Sequence, residues 1–273
     1  MAPIPALFTV PIESKGSIVC THPSQKVYLL TFQSPPDNRL TPAFCASFVL
    51  ALDIIEYRFP KGVVITTSGI AKFYSNGLNY ESAVKTKGFF GDILYPLWRR
   101  ILTFPMPTIA LINGHAFAGG LMTAMMHDYR IFNPHRGFLC LNELDFGAPM
   151  GPPMSSIFRQ KIPSPSTYRN MILESKRYSA LEAIEEGIVD GLGGAEEALA
   201  FVAEMKLVKK AESSVYGVLK TEMWRETVWY LENADAAARK HERDEAEGKK
   251  RAQEAEKRIV AWESGGRNGQ AKL

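Results

Sequence analysis

Apolar and polar positions follow one another along this chain in short runs that predict strands and helices by turns. Residues 26–32 (KVYLLTF) are β-branched and aromatic and stop at Ser34-Pro35-Pro36-Asp37-Asn38, a cluster of turn formers, which predicts a strand and then a loop. Thr41 before Pro42 has the form of an N-cap before a proline at the first helical position, and apolar residues then recur at helical spacing to about Phe59. Residues 62–67 read as a second buried strand, 92–104 as a helix and 108–113 as a third strand. After Gly119-Gly120 the pattern predicts a short buried helix over 121–127, then short strands over 129–132 and 138–141. Ser179-Ala180-Leu181-Glu182 is a capping box opening a helix that Gly187 closes, with a strand expected over 188–190. This alternation implies a layered α/β fold.

The last part of the chain changes character. Residues 239–263 carry 8 basic and 7 acidic side chains, with Glu245/Lys249, Glu247/Arg251 and Glu254/Arg258 at helix-supporting spacing. Near-neutral balance favours a solvated helix over a polyanion-binding arm. The expected division is a core over 1–205, a helical region over 206–263 and a flexible tail over 264–273.

Composition alters this picture little. Apolar residues make up 46% and charged residues 22%, which provides for a core and excludes bulk disorder. The net charge of +3, from 32 basic and 29 acidic side chains, is too small to imply a nucleic-acid partner. Cys20, Cys45 and Cys140 are odd in number and sit in apolar runs, so they read as core. No apolar run approaches the roughly 20 residues of a membrane span, and Met1-Ala2-Pro3-Ile4-Pro5 lacks the charged start of a secretory leader. The final Ala271-Lys272-Leu273 follows the small-basic-leucine pattern of a peroxisomal address, so the expected location is the peroxisome, reached through its import receptor, and otherwise the cytoplasm.

Three segments could carry chemistry. Lys72-Phe73-Tyr74-Ser75-Asn76-Gly77-Leu78-Asn79 follows the strand at 62–67, where α/β folds place ligand loops and a glycine can aim backbone N–H groups at a ligand; a plain turn is the alternative. Asn113-Gly114-His115-Ala116-Phe117-Ala118-Gly119-Gly120 joins a buried strand to a helix start, whose unpaired N–H groups favour an oxyanion; close packing without function is the alternative. It lacks the Gly-Lys-Ser/Thr ending of a phosphate loop. Asn142-Glu143-Leu144-Asp145-Phe146-Gly147 embeds carboxylates in apolar residues, where a raised pKa suits a general base, unless a cap or salt bridge satisfies them. No Gly-x-Ser-x-Gly elbow and no Cys/His set with zinc spacing occurs. His115 and His127 read as structural, and Met122, Met125 and Met126 as core.

In this order and separation the three segments resemble the enoyl-CoA hydratase/isomerase (crotonase) superfamily, over roughly residues 15–230. The first is similar to its Phe-Ser-x-Gly-x-Asp loop, with Asn79 for the aspartate; the second is similar to its Asn-Gly-x-Ala-x-Gly-Gly-Gly turn, with Ala118 for the first of those three glycines. The resemblance implies a spiral of ββα units with C-terminal helices, assembled as a homotrimer or a pair of trimers. It also implies an oxyanion hole from the N–H groups of Asn76 and Gly119, with Ser75, Gly77, Leu78 and Gly120 binding an acyl-CoA substrate. No metal and no cofactor beyond that CoA is expected. Hydratases of the family hold a water between two glutamates; Met122 occupies the first position and Glu143 the second. A thioether cannot activate water. Asn142-Glu143 with Gly147 resembles the 3,2-enoyl-CoA isomerases, plant-type peroxisomal ones in particular, in which one carboxylate moves a proton from C2 to C4. Two other readings stand beside it: another thioester reaction of the superfamily, such as hydrolysis, decarboxylation or a step of secondary metabolism, and a non-catalytic acyl-CoA-binding protein.

Overall fold

The computed structural model describes residues 4–13 and 15–266. Strands β1 (Ala6–Ile12), β2 (Gly16–Ser24) and β3 (Val27–Gln33) open the chain, followed by α1 (Pro42–Arg58) and β4 (Val63–Ser68). Next come β5 (Phe73–Ser75), α2 (Tyr80–Lys85), a π-helical turn (Phe89–Leu94) and α3 (Tyr95–Leu102). The middle of the chain forms β6 (Thr108–Ile112), β7 (His115–Phe117), α4 (Gly119–Met125), β8 (Tyr129–Phe132), β9 (Leu139–Cys140) and α5 (Glu143–Phe146). It is completed by α6 (Pro152–Lys161), α7 (Pro165–Leu173), α8 (Ala180–Glu185), β10 (Gly191–Leu192), α9 (Ala195–Glu204), α10 (Leu207–Ala211), α11 (Tyr216–Met223), α12 (Arg225–Glu232) and α13 (Ala234–Gly266).

Seven strands form one sheet in the order β1-β2-β3-β4-β6-β8-β10, antiparallel from β1 to β3 and parallel beyond. The central parallel strand β6 is buried on both faces, which is why 108–112 reads as an unbroken apolar run rather than an alternating one. A smaller sheet, β5-β7-β9, is parallel throughout. Each of β4, β6 and β8 hands the chain to one strand of the small sheet and then to a helix. That repeat is the expected spiral of ββα units.

Local signals account for several elements. The Thr41 side chain accepts from the Phe44 N–H at 3.2 Å, with Pro42 beginning α1, and Ser179 and Glu182 close a reciprocal capping box on α8. All three cysteines are buried and free, and Met122, Met125 and Met126 are core. Other elements differ from the expectations. The strand expected over 188–190 forms at Gly191–Leu192 instead, because the Ile188 and Val189 N–H groups turn back to the Ala183 carbonyl and close α8. The helix expected over 121–127 begins at Gly119, and the one expected over 92–104 is a π-helical turn followed by α3. β1 and β2 arise where no element is expected. β1 is a half-exposed edge strand containing Pro11, and β2 ends at His22-Pro23-Ser24, so neither shows the periodicity of a buried strand.

The chain divides into two compact units after Glu232. Helices α10 to α12 therefore belong with the sheets, and the boundary expected at 205/206 falls inside the first unit. A buried ion pair shows what ties them there: the Lys220 ammonium of α11 meets Asp128 at 2.9 Å, and the same carboxylate oxygen accepts from the Thr108 N–H at the start of β6. The second unit is one long helix, α13, whose described side chains are mostly exposed and charged, as its sequence implies. Ala271, Lys272 and Leu273 lie outside the described residues. No described helix is long and apolar enough to cross a membrane.

Lys220→Ala should cost about 3 kcal/mol in urea denaturation, because it strands Asp128 as a buried charge. A loss below about 1 kcal/mol would show that the pair contributes little.

Candidate active site

The small sheet assembles the site. Asn76 follows β5, Gly119 lies just beyond β7 and Glu143 just beyond β9, so parallel pairing brings the ends of all three motif segments to one edge. Two cavities meet there. An inner pocket of about 40 Å³ is lined by Gly119, Met122, Glu143, Ala148, Pro149 and Met154 among others. An outer cleft of about 830 Å³ is lined by Asp37, Arg39, Asn76, Asn79, Glu81 and Asn142 among others. Leu78, Tyr80, Ala118 and Phe146 line both.

α4 is fixed with its N-terminus at the inner pocket. Thr123 Oγ1 donates to the Gly119 carbonyl at 2.7 Å and accepts from the Trp98 indole N–H at 2.9 Å. At the other end, the Lys161 side-chain nitrogen donates to the carbonyls of Met125 and His127, at 2.7 and 2.6 Å, and so satisfies acceptors that the helix end leaves open. His127 is buried and bonded to Thr66 Oγ1 and the Thr123 carbonyl; burial pushes its pKa down to about 3, so it is a neutral structural group. His115 accepts from the Phe138 N–H through Nδ1. The Gly119 N–H makes no backbone hydrogen bond among the described residues, as the first donor of a helix should. Just before it, Ala118 adopts φ 49° and ψ −124°, a conformation that costs an alanine about 1 to 3 kcal/mol and turns the chain sharply from β7 into α4.

The first motif segment is held differently from its expected role. The Asn76 N–H donates to the Asp37 carbonyl at 3.0 Å, and the Asn76 side chain donates to the Asp37 carboxylate at 2.6 Å. Of the two expected oxyanion donors, Gly119 alone is unpaired and lines the inner pocket; Asn76 faces the outer cleft, tied to Asp37. Ser75, Gly77 and Gly120, expected to bind substrate, line neither cavity. Ser75 Oγ donates to the Asn38 carbonyl at 2.7 Å, and a side chain at Gly120 would meet the Ser75 carbonyl at 2.3 Å, so this glycine lets α4 lie against β5. Gly77, at φ 73°, makes the turn. Leu78 does line both cavities. Asn79 caps α2 by accepting from the Ser82 N–H, a task asparagine and aspartate perform alike.

Glu143 is the one carboxylate lining the inner pocket, and it is only 8% exposed. Its Oε2 is buried with no hydrogen-bond partner among the described residues. Burial raises its pKa from 4.5 to about 7, against a smaller downward pull from its own backbone N–H. Asp145, two residues on, makes no side-chain hydrogen bond to it among the described residues. Burial also lifts the Cys140 thiol to about 11, which leaves it inert as a nucleophile. No described group of His, Cys, Asp and Glu could hold a metal ion.

The family model for enoyl-CoA hydratase/isomerase matches residues 22–265. The chain belongs to that family. It is 32% identical over 212 residues to enoyl-CoA delta isomerase 3 of Arabidopsis thaliana, covering 73% of this chain and 89% of that one. The peroxisomal enoyl-CoA delta isomerase 2 of the same plant is 30% identical over 214 residues, covering 73% and 89%. Among solved structures, human mitochondrial delta3-delta2-enoyl-CoA isomerase superposes with a TM-score of 0.70 at 24% identity, over 82% of this chain and 89% of that one, a likeness of fold. These homologues support isomerase chemistry on enoyl-CoA thioesters in the broad sense.

Asp37, expected only as part of a turn, and Arg39, for which no role was expected, also line the cleft. Arg39 Nε donates to Asp37 at 3.0 Å and its Nη1 to the Leu78 carbonyl at 2.6 Å, so the pair braces the wall of the cleft. The signal was present: a charged pair directly after a parallel strand, at the sheet edge where α/β folds bind ligands.

Glu143→Gln should stabilise the fold in a pH-dependent way. A carboxyl raised from 4.5 to about 7 on folding adds its stability below 4.5 and loses it as pH rises through 7. The glutamine variant should therefore match the wild type at acid pH and exceed it by roughly 3 kcal/mol at about pH 8. Denaturant titrations at both pH values measure this, and a constant difference would show that Glu143 is not a desolvated acid.

Proposed function

We propose that this chain is a 3,2-enoyl-CoA isomerase, moving the double bond of a 3-enoyl-CoA to the 2-trans position in the β-oxidation of unsaturated acyl chains. The observation that carries this reading is the lone carboxylate of the inner pocket, Glu143, with a pKa near neutrality and Met122 beside it instead of a second acid. A desolvated carboxylate poised near pH 7 is suited to take and return a proton.

In the proposed step, ionised Glu143 removes a proton from C2 of the substrate. The C2–H electron pair moves into the thioester, forming a dienolate whose oxygen is met by the Gly119 N–H at the start of α4. The carboxylic acid then returns the same proton at C4, leaving a 2,3 double bond and an ionised glutamate. Asn76 adds a second donor once its N–H leaves the Asp37 carbonyl; each such donor is worth roughly 3 to 4 kcal/mol. The Met122 thioether offers no site to hold or activate a water, so hydration is disfavoured. No step calls on a metal or a redox cofactor. The same reading takes the chain as a homotrimer or pair of trimers, and as peroxisomal through Ala271-Lys272-Leu273; two Arabidopsis relatives, delta isomerases 1 and 2, are named as peroxisomal.

With trans-3-hexenoyl-CoA the wild type should form the 2-enoyl isomer with negligible 3-hydroxyacyl product, its kcat/KM falling below about pH 7. Glu143→Gln should bind the same thioester and lose at least about a hundredfold in turnover. Dominant hydration, or full activity in the variant, would defeat the assignment. Deleting Ala271-Lys272-Leu273 should leave catalysis intact and move a fluorescent fusion from peroxisomes to the cytosol; unchanged import would remove the basis of the location.

A further inference from the structure

The inner pocket and the outer cleft meet at a neck formed by Leu78, Tyr80, Ala118 and Phe146, the residues that line both. Two aromatic rings narrow it. Tyr80 begins α2 and Phe146 ends α5, and their ring centroids lie 6.1 Å apart with planes inclined at 57°. On the far side of that pair the inner pocket, about 40 Å³, has room for only a few water-sized groups. The outer cleft is some twenty times larger and carries the polar groups. A thioester carbonyl must reach Gly119 and Glu143 through this neck, so a long run of acyl carbons that passes beyond it into the inner pocket has to be housed by moving a wall.

The two aromatic side chains are the wall built to move. Tyr80 is 37% and Phe146 48% exposed. Each stands on a very short helix with a single buried residue, Ala83 in α2 and Glu143 in α5. Elements with so little core anchorage open at small cost, whereas the opposite wall belongs to α4, whose residues are all buried. The rest of the inner lining, Met122, Ala148, Pro149 and Met154, is apolar and suits a hydrocarbon chain.

We propose that Tyr80 and Phe146 form an aromatic gate that sets the acyl-chain length this protein admits, the closed pair fitting short chains and longer ones entering only when it parts. The proposal rests on the acyl-thioester reading and adds the residues that discriminate among substrates. Phe146 lies three residues after Glu143 on the same turn of helix, so a chain that displaces the ring also tests the position of the base.

The test is binding of butanoyl-, octanoyl- and hexadecanoyl-CoA to the full chain by calorimetry, since saturated thioesters report on the gate without turnover. Phe146→Ala should tighten hexadecanoyl-CoA by about tenfold relative to butanoyl-CoA, because the neck no longer has to open. Phe146→Leu should give a smaller change in the same direction, and Tyr80→Ala should reproduce the shift from the other side of the neck. The kcat/KM ratios for the corresponding 3-enoyl-CoAs should move with the affinities. A change uniform across chain lengths in all three variants would overturn the gate while leaving the isomerase reading in place. Failure of the wild type to bind any acyl-CoA would overturn both, and normal binding without isomerisation would sink the proposed reaction while the chain-length shift still supported the gate.

Discussion

The parallel pairing of β5, β7 and β9 is the constraint from which the chemistry of this chain follows. Side chains that carry no function in isolation become a site because three strands of two or three residues run the same way and end at one edge. Register does the positioning: Ser75 pairs with Ala116, and Phe117 with Cys140. A slip of one residue in any of the three would turn the following loop away from its neighbours. The large sheet stabilises the arrangement by fixing β4, β6 and β8, which deliver the chain to the small one.

The inner pocket stores unfavourable free energy in two places. Ala118 stands in a backbone conformation foreign to alanine, and Glu143 keeps a carboxylate oxygen buried without a partner. Both distortions act at the same pocket, one to aim a backbone N–H and the other to make a carboxylate basic near neutral pH. Such costs persist only where the surroundings over-determine the geometry. Here the surroundings are the bonds of Thr123 and Lys161 that clamp α4, and the close approach of Gly120 to the Ser75 carbonyl.

The outer cleft follows a different logic. One oxygen of Asp37 accepts from both the Arg39 and Asn76 side chains, and the Leu40 N–H donates to the Gly77 carbonyl at 2.9 Å, so two loops are laced together along its wall. Membership of the enoyl-CoA hydratase/isomerase family accounts for the overall arrangement.

By itself the sequence determined β3, β4, β6, α1, α8 and the long final helix, the three chemical segments and Glu143 among their residues. Those depend on local causes: the apolar runs over 26–32 and 108–113, the caps at Thr41 and Ser179, and a glutamate set among apolar neighbours. Tertiary structure alone decided the rest. The small-sheet strands are too short to show a period, so β5 and β7 were invisible inside their motifs, and β10 was displaced once Ile188 and Val189 spent their N–H groups closing α8. The pairing of the Asn76 N–H with a carbonyl 39 positions earlier, and the meeting of Tyr80 with Phe146 across the neck, join residues far apart in the chain. Contacts of that kind are set by how sheets and loops pack, which no local pattern of residues records.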